Sequence, residues 1–173
     1  MRNIEVKARL RSRLGAEDVA ARLSGGEGMI LEQKDTYFKV PEGRLKLREE
    51  GERAELIFYK RSDESGPRPS DYEIVGVESP DRLTDLLERA LGVLAVVSKR
   101  RRLHMYGSLR IHIDSVRLLG DFLEFEAVLV EGESEERAKL LVAELLKEFS
   151  ITPEDLVEES YCDLLCRLPH PGA

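Results

Sequence analysis

The residues Asn3-Ile4-Glu5-Val6-Lys7-Ala8-Arg9-Leu10 alternate strictly between polar and apolar side chains. A period of two residues places the polar and apolar side chains on opposite faces of a β-strand. The same alternation recurs in later stretches, such as residues 44–48 and 122–126. Strands that carry charge on one face and apolar residues on the other therefore decide the fold.

Turn-forming stretches such as Pro41-Glu42-Gly43 separate eight segments that are rich in strand-forming residues. The predicted strands cover residues 3–10, 29–40, 44–48, 54–61, 70–78, 93–106, 108–116 and 120–130. Helical spacing of apolar residues predicts helices over 16–24, 79–91, 134–149 and 153–165. Short antiparallel connections dominate, which predicts an α+β protein with an eight-stranded antiparallel closed barrel and flanking helices. We expect one domain over residues 1–167 and a disordered tail over 168–173.

The composition limits the classes of function. The chain of 173 residues has 27 Lys and Arg against 34 Asp and Glu, a net charge of −7, which argues against a nucleic-acid or anionic-membrane partner. The longest apolar run, residues 90–97, has 8 residues, whereas a membrane-spanning helix needs about 20. Charged residues begin at Arg2 and no apolar signal segment is present, so we expect a cytoplasmic protein.

The charged strand faces allow two interpretations. They are either solvated faces of half-buried strands, with an unrelated partner, or the inner wall of a barrel that holds a charged ligand. Buried charges need mutual pairing, water, a metal or a ligand, and carboxylates such as Glu124 and Glu126 among basic residues would suit a metal and a polyanion. Periodicity alone leaves open which face lies inside.

Several stretches carry a resemblance to the CYTH superfamily, the triphosphate tunnel metalloenzymes, which include class IV adenylyl cyclases and thiamine triphosphatases. The resemblance runs in order from Asn3 to about Leu165. It rests on residues 4–9, 33–38, 43–49, Lys99 with Arg101, 111–114 and 119–126.

The resemblance implies an eight-stranded tunnel with its polar faces inward and a divalent metal, Mg²⁺ or Mn²⁺. The implied catalytic residues are Glu5, Lys7, Glu124 and Glu126, and the implied metal ligands are Glu5, Glu124, Glu126 and Asp114. Asp114 has the alternative role of orienting basic residues. The implied triphosphate-binding residues are Lys7, Lys46, Arg48, Arg61, Lys99, Arg101 and Arg110.

One position departs from the pattern of the family. The N-terminal signature reads Glu-x-Glu-x-Lys, and its first position is Asn3 in this chain. An amide oxygen can bind a hard cation, but it contributes no charge. The departure therefore bears on metal affinity, on the number of metals and on turnover.

The resemblance favours a class IV adenylyl cyclase-like enzyme that converts ATP to cyclic AMP and pyrophosphate. One alternative is the hydrolysis of thiamine triphosphate or inorganic triphosphate. The other is a non-catalytic polyphosphate-binding module, which Asn3 in place of the signature glutamate suggests. Tyr37, Tyr59 and His112 are the candidates for a general base. A homodimer is a further hypothesis, because an apolar outer face needs cover.

The cysteines and two histidines are predicted to have structural roles. Cys162 and Cys166 lie four residues apart on a predicted helix, with no further ligands nearby, so we expect two buried thiols without a metal or redox role. His104 and His170 have no partners at ligand spacing and are expected to be structural or exposed.

Overall fold

A computed structural model describes residues 2–61, 66–129 and 134–169. For Arg2 and Arg61 it describes the backbone but not the side chain. Its eight strands form one closed antiparallel barrel in the order β1-β5-β4-β3-β2-β6-β7-β8, which confirms the predicted fold class. The strands are β1 (Arg2–Arg9), β2 (Met29–Phe38), β3 (Arg44–Glu50), β4 (Arg53–Arg61), β5 (Arg68–Gly76), β6 (Val93–Tyr106), β7 (Leu109–Val116) and β8 (Gly120–Val128).

Helices flank the barrel. They are α1 (Arg13–Ser24), α2 (Pro80–Leu91), α3 (Glu135–Glu148) and α4 (Tyr161–Cys166), with a 3₁₀ turn at Pro153–Asp155. Helix α1 begins earlier than predicted, because the Ser12 side chain accepts a hydrogen bond from the Gly15 N–H and caps the helix. No helix in the described part of the chain is long and apolar enough to cross a membrane.

The apolar strand faces point outward and pack beneath the helices. Ile4 on β1, Ile111 on β7 and Phe125 on β8 form one buried cluster with Ala20 of α1 and Val142 of α3. The opposite, charged faces of the same strands therefore turn toward the barrel interior. Tertiary packing thus decides the orientation that the alternation left open.

Helix α2 covers a second part of the outer wall. Leu83 and Leu87 of this helix pack on a cluster of Phe38, Leu47 and Ala54 from β2, β3 and β4. Burial of these apolar side chains fixes the faces of the three strands, and it leaves their charged residues to line the interior.

The single helix predicted over residues 153–165 is wrong. The chain after the 3₁₀ turn is extended, because Leu156 bridges Ala8 and the Val157 N–H donates to the Lys7 carbonyl at 2.9 Å. Ser160 then starts a new helix with a capping box, in which its hydroxyl accepts from the Asp163 N–H. Pairing with β1 therefore overrides the helical spacing of this segment.

Helix α4 is seated in one end of the barrel. Tyr161 and Cys162 are buried in a cluster with the inward-facing Val97 and Phe122. The rings of Tyr161 and Phe122 meet edge to face, with their centroids 4.9 Å apart. The C-terminal segment thereby forms part of the interior wall.

The predicted single domain over residues 1–167 stays a prediction. Of the predicted tail, residues 170–173, including His170, lie outside the described residues. Strand β5 begins at Arg68, two residues before its predicted start, and this places Arg68 on the barrel wall.

Candidate functional site

The inward faces enclose a cavity of about 370 Å³. Of the seven predicted triphosphate-binding residues, six line it, and the side chain of the seventh, Arg61, lies outside the described residues. Three predicted metal-binding carboxylates line it as well. The cavity therefore gathers these nine predicted side chains: Lys7, Lys46, Arg48, Lys99, Arg101, Arg110, Glu5, Glu124 and Glu126.

A cluster of three cations surrounds Asp35 on β2. The Asp35 carboxylate accepts hydrogen bonds from Lys46 Nζ at 3.0 Å, from Lys99 Nζ at 2.9 Å, and from Arg48 Nε and Nη2 at 2.7 and 2.8 Å. One carboxylate thus holds three positive side chains from β3 and β6 in one place. With all four groups ionised, this cation cluster keeps a surplus of positive charge inside the barrel.

The cation cluster changes the pKa of its members. Burial alone would raise the pKa of Asp35, but the charges of Arg48, Lys46 and Lys99 outweigh it and hold that pKa well below its usual value. Burial, together with repulsion from Arg48, lowers the pKa of Lys46 to about 7 and that of Lys99 to about 8. An anion in the cavity would raise the pKa of both lysines.

Sequence analysis did not assign Asp35 to the site. Its signal was the period-two spacing of Asp35 and Tyr37, which places both on the inner face of β2. Asp35 also stands directly opposite Arg48 in the register of β2 and β3. The register could not be predicted from the segment itself.

A second buried network centres on Arg101 of β6. Its Nε and Nη2 donate to the two oxygens of Asp114 at 2.7 and 2.6 Å, and Nη2 also donates to Glu124 at 2.6 Å. The Tyr161 hydroxyl donates to Asp114 at 3.0 Å. Asp114 is 0% exposed, and its contacts support the role of orienting Arg101, while its role as a metal ligand stays a prediction.

Lys7 joins this network to the C-terminal segment. Its Nζ lies 3.2 Å from Glu124, donates to the Glu159 carbonyl at 3.1 Å and stands 4.1 Å from the centre of the Tyr161 ring. Sequence analysis missed Ser160 and Tyr161 as parts of the cavity wall, because it continued a helix through them.

A carboxylate pair lies where β1 meets β8. Glu5 is directly opposite Glu126, and the Asn3 Nδ2 donates to Glu126 at 2.7 Å. Arg68 and Arg110 flank the pair, at 3.6 Å from Glu5 and 3.2 Å from Glu126. Sequence analysis missed Arg68, because it placed this residue in a loop.

The donor set at this pair fits a hard divalent cation. In the part of the chain that the structure describes, no three Asp, Glu, His or Cys groups converge as metal ligands. Asn3, which contacts Glu126, carries a further candidate oxygen: the residue is only 5% exposed, and its buried Oδ1 has no hydrogen-bond partner among the described residues. Glu5, Glu126 and this amide oxygen are the kind of ligands that Mg²⁺ and Mn²⁺ take.

The candidates for a general base lie at different places in the cavity. The ring nitrogens of His112 are 3.8 Å from Glu124 and 3.9 Å from Glu126, and burial together with the charge of Arg101 lowers its pKa. The hydroxyls of Tyr37 and Tyr59 are 3.4 Å apart. Burial raises the pKa of Tyr37 well above its usual value, which suits a hydrogen-bond donor rather than a base.

The cysteines differ in burial. Cys162 is buried, and burial raises its pKa to about 12, whereas Cys166 is exposed, so the prediction of two buried thiols is wrong for Cys166. The end of α4 faces solvent because the barrel encloses only its first turn. His104 is buried and hydrogen-bonds the Ser24 hydroxyl at 2.9 Å, as a structural histidine does.

A closed barrel with cations and carboxylates on its inner wall defines a tunnel for a polyanion. The CYTH domain model matches residues 1–161. The chain therefore belongs to the CYTH domain family, whose members are generally enzymes that act on triphosphates.

Solved structures share the fold. PH1012 from Pyrococcus horikoshii OT3 superposes with a TM-score of 0.80 at 24% identity, over 94% of this chain and 98% of the other. A Vibrio parahaemolyticus protein, provisionally named an adenylate cyclase, has a TM-score of 0.73 at 18% identity, over 94% and 97%. A Bacillus halodurans protein with the same provisional name has a TM-score of 0.63 at 22% identity, over 94% and 96%. No curated protein matches the chain.

Proposed function

We propose that this protein is a divalent-metal-dependent enzyme that binds an organic triphosphate in its tunnel and converts ATP to cyclic AMP and pyrophosphate. The observation that carries the proposal is the cation cluster, in which Lys46, Arg48 and Lys99 surround one carboxylate, Asp35. A triphosphate carries several negative charges and matches this surplus of positive charge. The provisional names of the Vibrio and Bacillus proteins support the cyclase reaction.

The cations of the tunnel would perform most of the catalysis. Phosphoryl chemistry depends on positioning and on neutralising the charge of the transferring and leaving oxygens. Lys46, Arg48 and Lys99 would hold the phosphate oxygens, and Arg101, oriented by Asp114, would stabilise developing charge. Burial strengthens each of these interactions because the surroundings screen them less than water does.

Glu5, Glu126 and the Asn3 amide oxygen are the residues that would hold Mg²⁺ or Mn²⁺. The metal would supply neutralisation of phosphate charge and a lowered pKa of the attacking hydroxyl. The pKa of Glu126 is itself lowered, because His112 and Arg110 outweigh the effect of burial, so this carboxylate is ionised and ready to bind a cation. Glu124 contacts Lys7 and Arg101, and its proposed role is to position them as well as to bind metal.

In the cyclase reaction, the 3′-hydroxyl oxygen of ATP attacks the α-phosphorus and loses its proton. The bond from the α-phosphorus to the bridging oxygen breaks, and pyrophosphate leaves. In the alternative reaction, water attacks the terminal phosphorus of ATP, thiamine triphosphate or inorganic triphosphate. The bond from that phosphorus to the bridging oxygen breaks, so that orthophosphate forms and the corresponding diphosphate leaves. The same cations would serve both reactions. The two reactions are therefore distinguished by their products.

A second candidate function is triphosphate binding without turnover, and Asn3 is the observation that favours it. Its amide donates to Glu126 at the position where the family signature has a carboxylate. One negative charge fewer weakens the hold on a divalent cation. A single domain over residues 1–167, a cytoplasmic location and a homodimer are further parts of the proposal.

Product analysis tests the proposal. The protein is incubated with radiolabelled ATP and Mg²⁺ or Mn²⁺, and we expect cyclic AMP and pyrophosphate. Lys46→Met should abolish both binding and turnover, whereas the exposed Lys60→Met is the matched control and should leave both unchanged. Orthophosphate without cyclic AMP would establish the triphosphatase reaction instead. If the wild-type protein binds ATP tightly without turnover, and Asn3→Glu restores turnover, the protein is a non-catalytic binding module.

A further inference from the structure

The inner wall of β4 and β5 differs from the rest of the tunnel. Ile57 on β4 stands directly opposite Ile74 on β5, and Tyr59 stands directly opposite Tyr72. All four side chains line the cavity. We call these four residues the apolar strip, because they place two aliphatic and two aromatic side chains next to each other in a cavity that is lined mainly by charged and polar side chains.

The apolar strip lies beside the cation cluster. Lys46 on β3 is directly opposite Ile57 on β4, and Arg48 is directly opposite Glu55. Neighbouring strands are about 5 Å apart, so a ligand whose phosphates contact Lys46 has the strip within its own length. The strip is therefore placed to contact whatever the triphosphate is attached to.

The apolar strip has surface and space for a ligand. Ile74 is 37% exposed although it faces the cavity, so a bound apolar group would remove part of its surface from water. Gly76, opposite Glu55, has no side chain, and a Cβ built there would meet nothing within 4 Å. Open space is thus present at the end of the strip, next to a carboxylate that can accept hydrogen bonds from N–H groups.

We propose that the apolar strip binds the organic group of the substrate, and that this group is a flat heterocycle with an N–H donor directed to Glu55. The inference rests on the proposed function and narrows it, since it assigns the tunnel to organic triphosphate esters over inorganic triphosphate. Aromatic side chains suit a flat ring, which can stack on Tyr59 or Tyr72. Inorganic triphosphate has no organic group for the apolar strip and would contact only the cations of the tunnel.

The test compares ligands on one variant. Ile74→Ser removes apolar surface from the strip, and Val75→Ser, its neighbour on the outer face with 62% exposure, is the matched control. Affinities for ATP, thiamine triphosphate and inorganic triphosphate are measured by calorimetry in EDTA, which prevents metal-dependent turnover. We expect Ile74→Ser to weaken ATP or thiamine triphosphate binding about fourfold, equivalent to about one buried methylene group, and to leave inorganic triphosphate binding unchanged.

The outcomes separate the two proposals. If wild-type protein binds inorganic triphosphate but Ile74→Ser weakens all three ligands equally, or none of them, the apolar strip does not bind the organic group and the inference is overturned. If wild-type protein binds no triphosphate at all, the proposed function itself fails, and the inference with it. Glu55→Gln gives a second test, since loss of the carboxylate should weaken the binding of the organic ligands only. Loss of ATP binding alone, or of thiamine triphosphate binding alone, identifies which heterocycle fits.

Discussion

Glu5 on β1 stands directly opposite Glu126 on β8, and both carboxylates line the tunnel. Like charges directly opposite each other on neighbouring strands destabilise a sheet. Asn3 relieves part of the repulsion by donating to Glu126, and Arg68 lies 3.6 Å from Glu5. His112, Arg110 and Asn3 outweigh the effect of burial and keep the pKa of Glu126 below its usual value, so the repulsion from Glu5 is offset and a cation would meet an ionised carboxylate.

Glu126→Gln tests whether this carboxylate pair binds metal. We expect Mn²⁺ affinity, measured from the electron paramagnetic resonance signal of free Mn²⁺, to fall by more than about tenfold. Without metal, the free energy of unfolding at neutral pH should fall, because Glu126→Gln loses the ionised carboxylate that Arg110 contacts and that the fold stabilises. The exposed Glu42→Gln is the control. Unchanged Mn²⁺ affinity in Glu126→Gln would rule out this pair as the metal site.

Asp35→Asn should destabilise the protein strongly. The substitution leaves Lys46, Arg48 and Lys99 buried together without their common carboxylate, and loss of one partner from a buried ion pair costs about 3–5 kcal/mol. Urea unfolding measures this loss. Inorganic triphosphate should raise the midpoint of unfolding more in Asp35→Asn than in wild type, because the anion replaces the missing charge. An equal rise in both would show that triphosphate does not contact the cation cluster.

Triphosphate binding should take up protons above neutral pH. In the ligand-free protein the pKa of Lys46 is about 7 and that of Lys99 about 8, so both are partly neutral at pH 8. A polyanion favours their charged forms and raises both values. Calorimetric titrations at pH 8 in buffers of different ionisation enthalpy should show proton uptake, and affinity should fall between pH 7 and 9. Lys46→Arg, which stays charged, should reduce the uptake.

The lowered pKa of Lys46 also affects the stability of the fold. Stability should rise with pH over the range in which triphosphate affinity falls. Between pH 7 and its ordinary value of 10.5, unfolded Lys46 holds a proton that the folded protein lacks. The contribution of Lys46 to the free energy of unfolding therefore rises with pH across that range. It is lowest below about pH 7, where Lys46 is charged in the folded protein. Bound triphosphate should flatten this dependence in thermal unfolding scans, and an unflattened curve would argue against contact with Lys46.

The barrel could be predicted from the sequence because a period of two over eight segments allows few other folds. The inward direction of the charges followed from the resemblance to the family and not from the periodicity, since it depends on α1 and α3 packing over Ile4 and Phe125. The same limit applies to the pair of Glu5 and Glu126, which comes from the pairing of strands far apart in the chain. Charge alternation marked the candidate residues, but only closure of the barrel sets their partners.

The errors of prediction concentrate in the C-terminal segment. Apolar spacing favoured a helix across Leu156 and Val157, but the hydrogen bond from Val157 to the Lys7 carbonyl holds these residues extended. Local propensity is a weak prior when a tertiary partner is available. The consequence reaches the site, because the break allows Tyr161 to enter the barrel and contact Asp114.

The buried position of Asp114 gives the last prediction. If it orients Arg101, Asp114→Asn should weaken metal-free triphosphate binding and leave Mn²⁺ affinity unchanged, because both of its oxygens contact Arg101. If it is a metal ligand, the pattern reverses. Tyr161→Phe is the matched control, since it removes one hydrogen bond to Asp114 and keeps the ring beside Lys7. It should cost about 1 kcal/mol in unfolding free energy and leave triphosphate affinity nearly unchanged. Calorimetry with inorganic triphosphate in EDTA, beside Mn²⁺ titrations of the same variants, decides between the two roles.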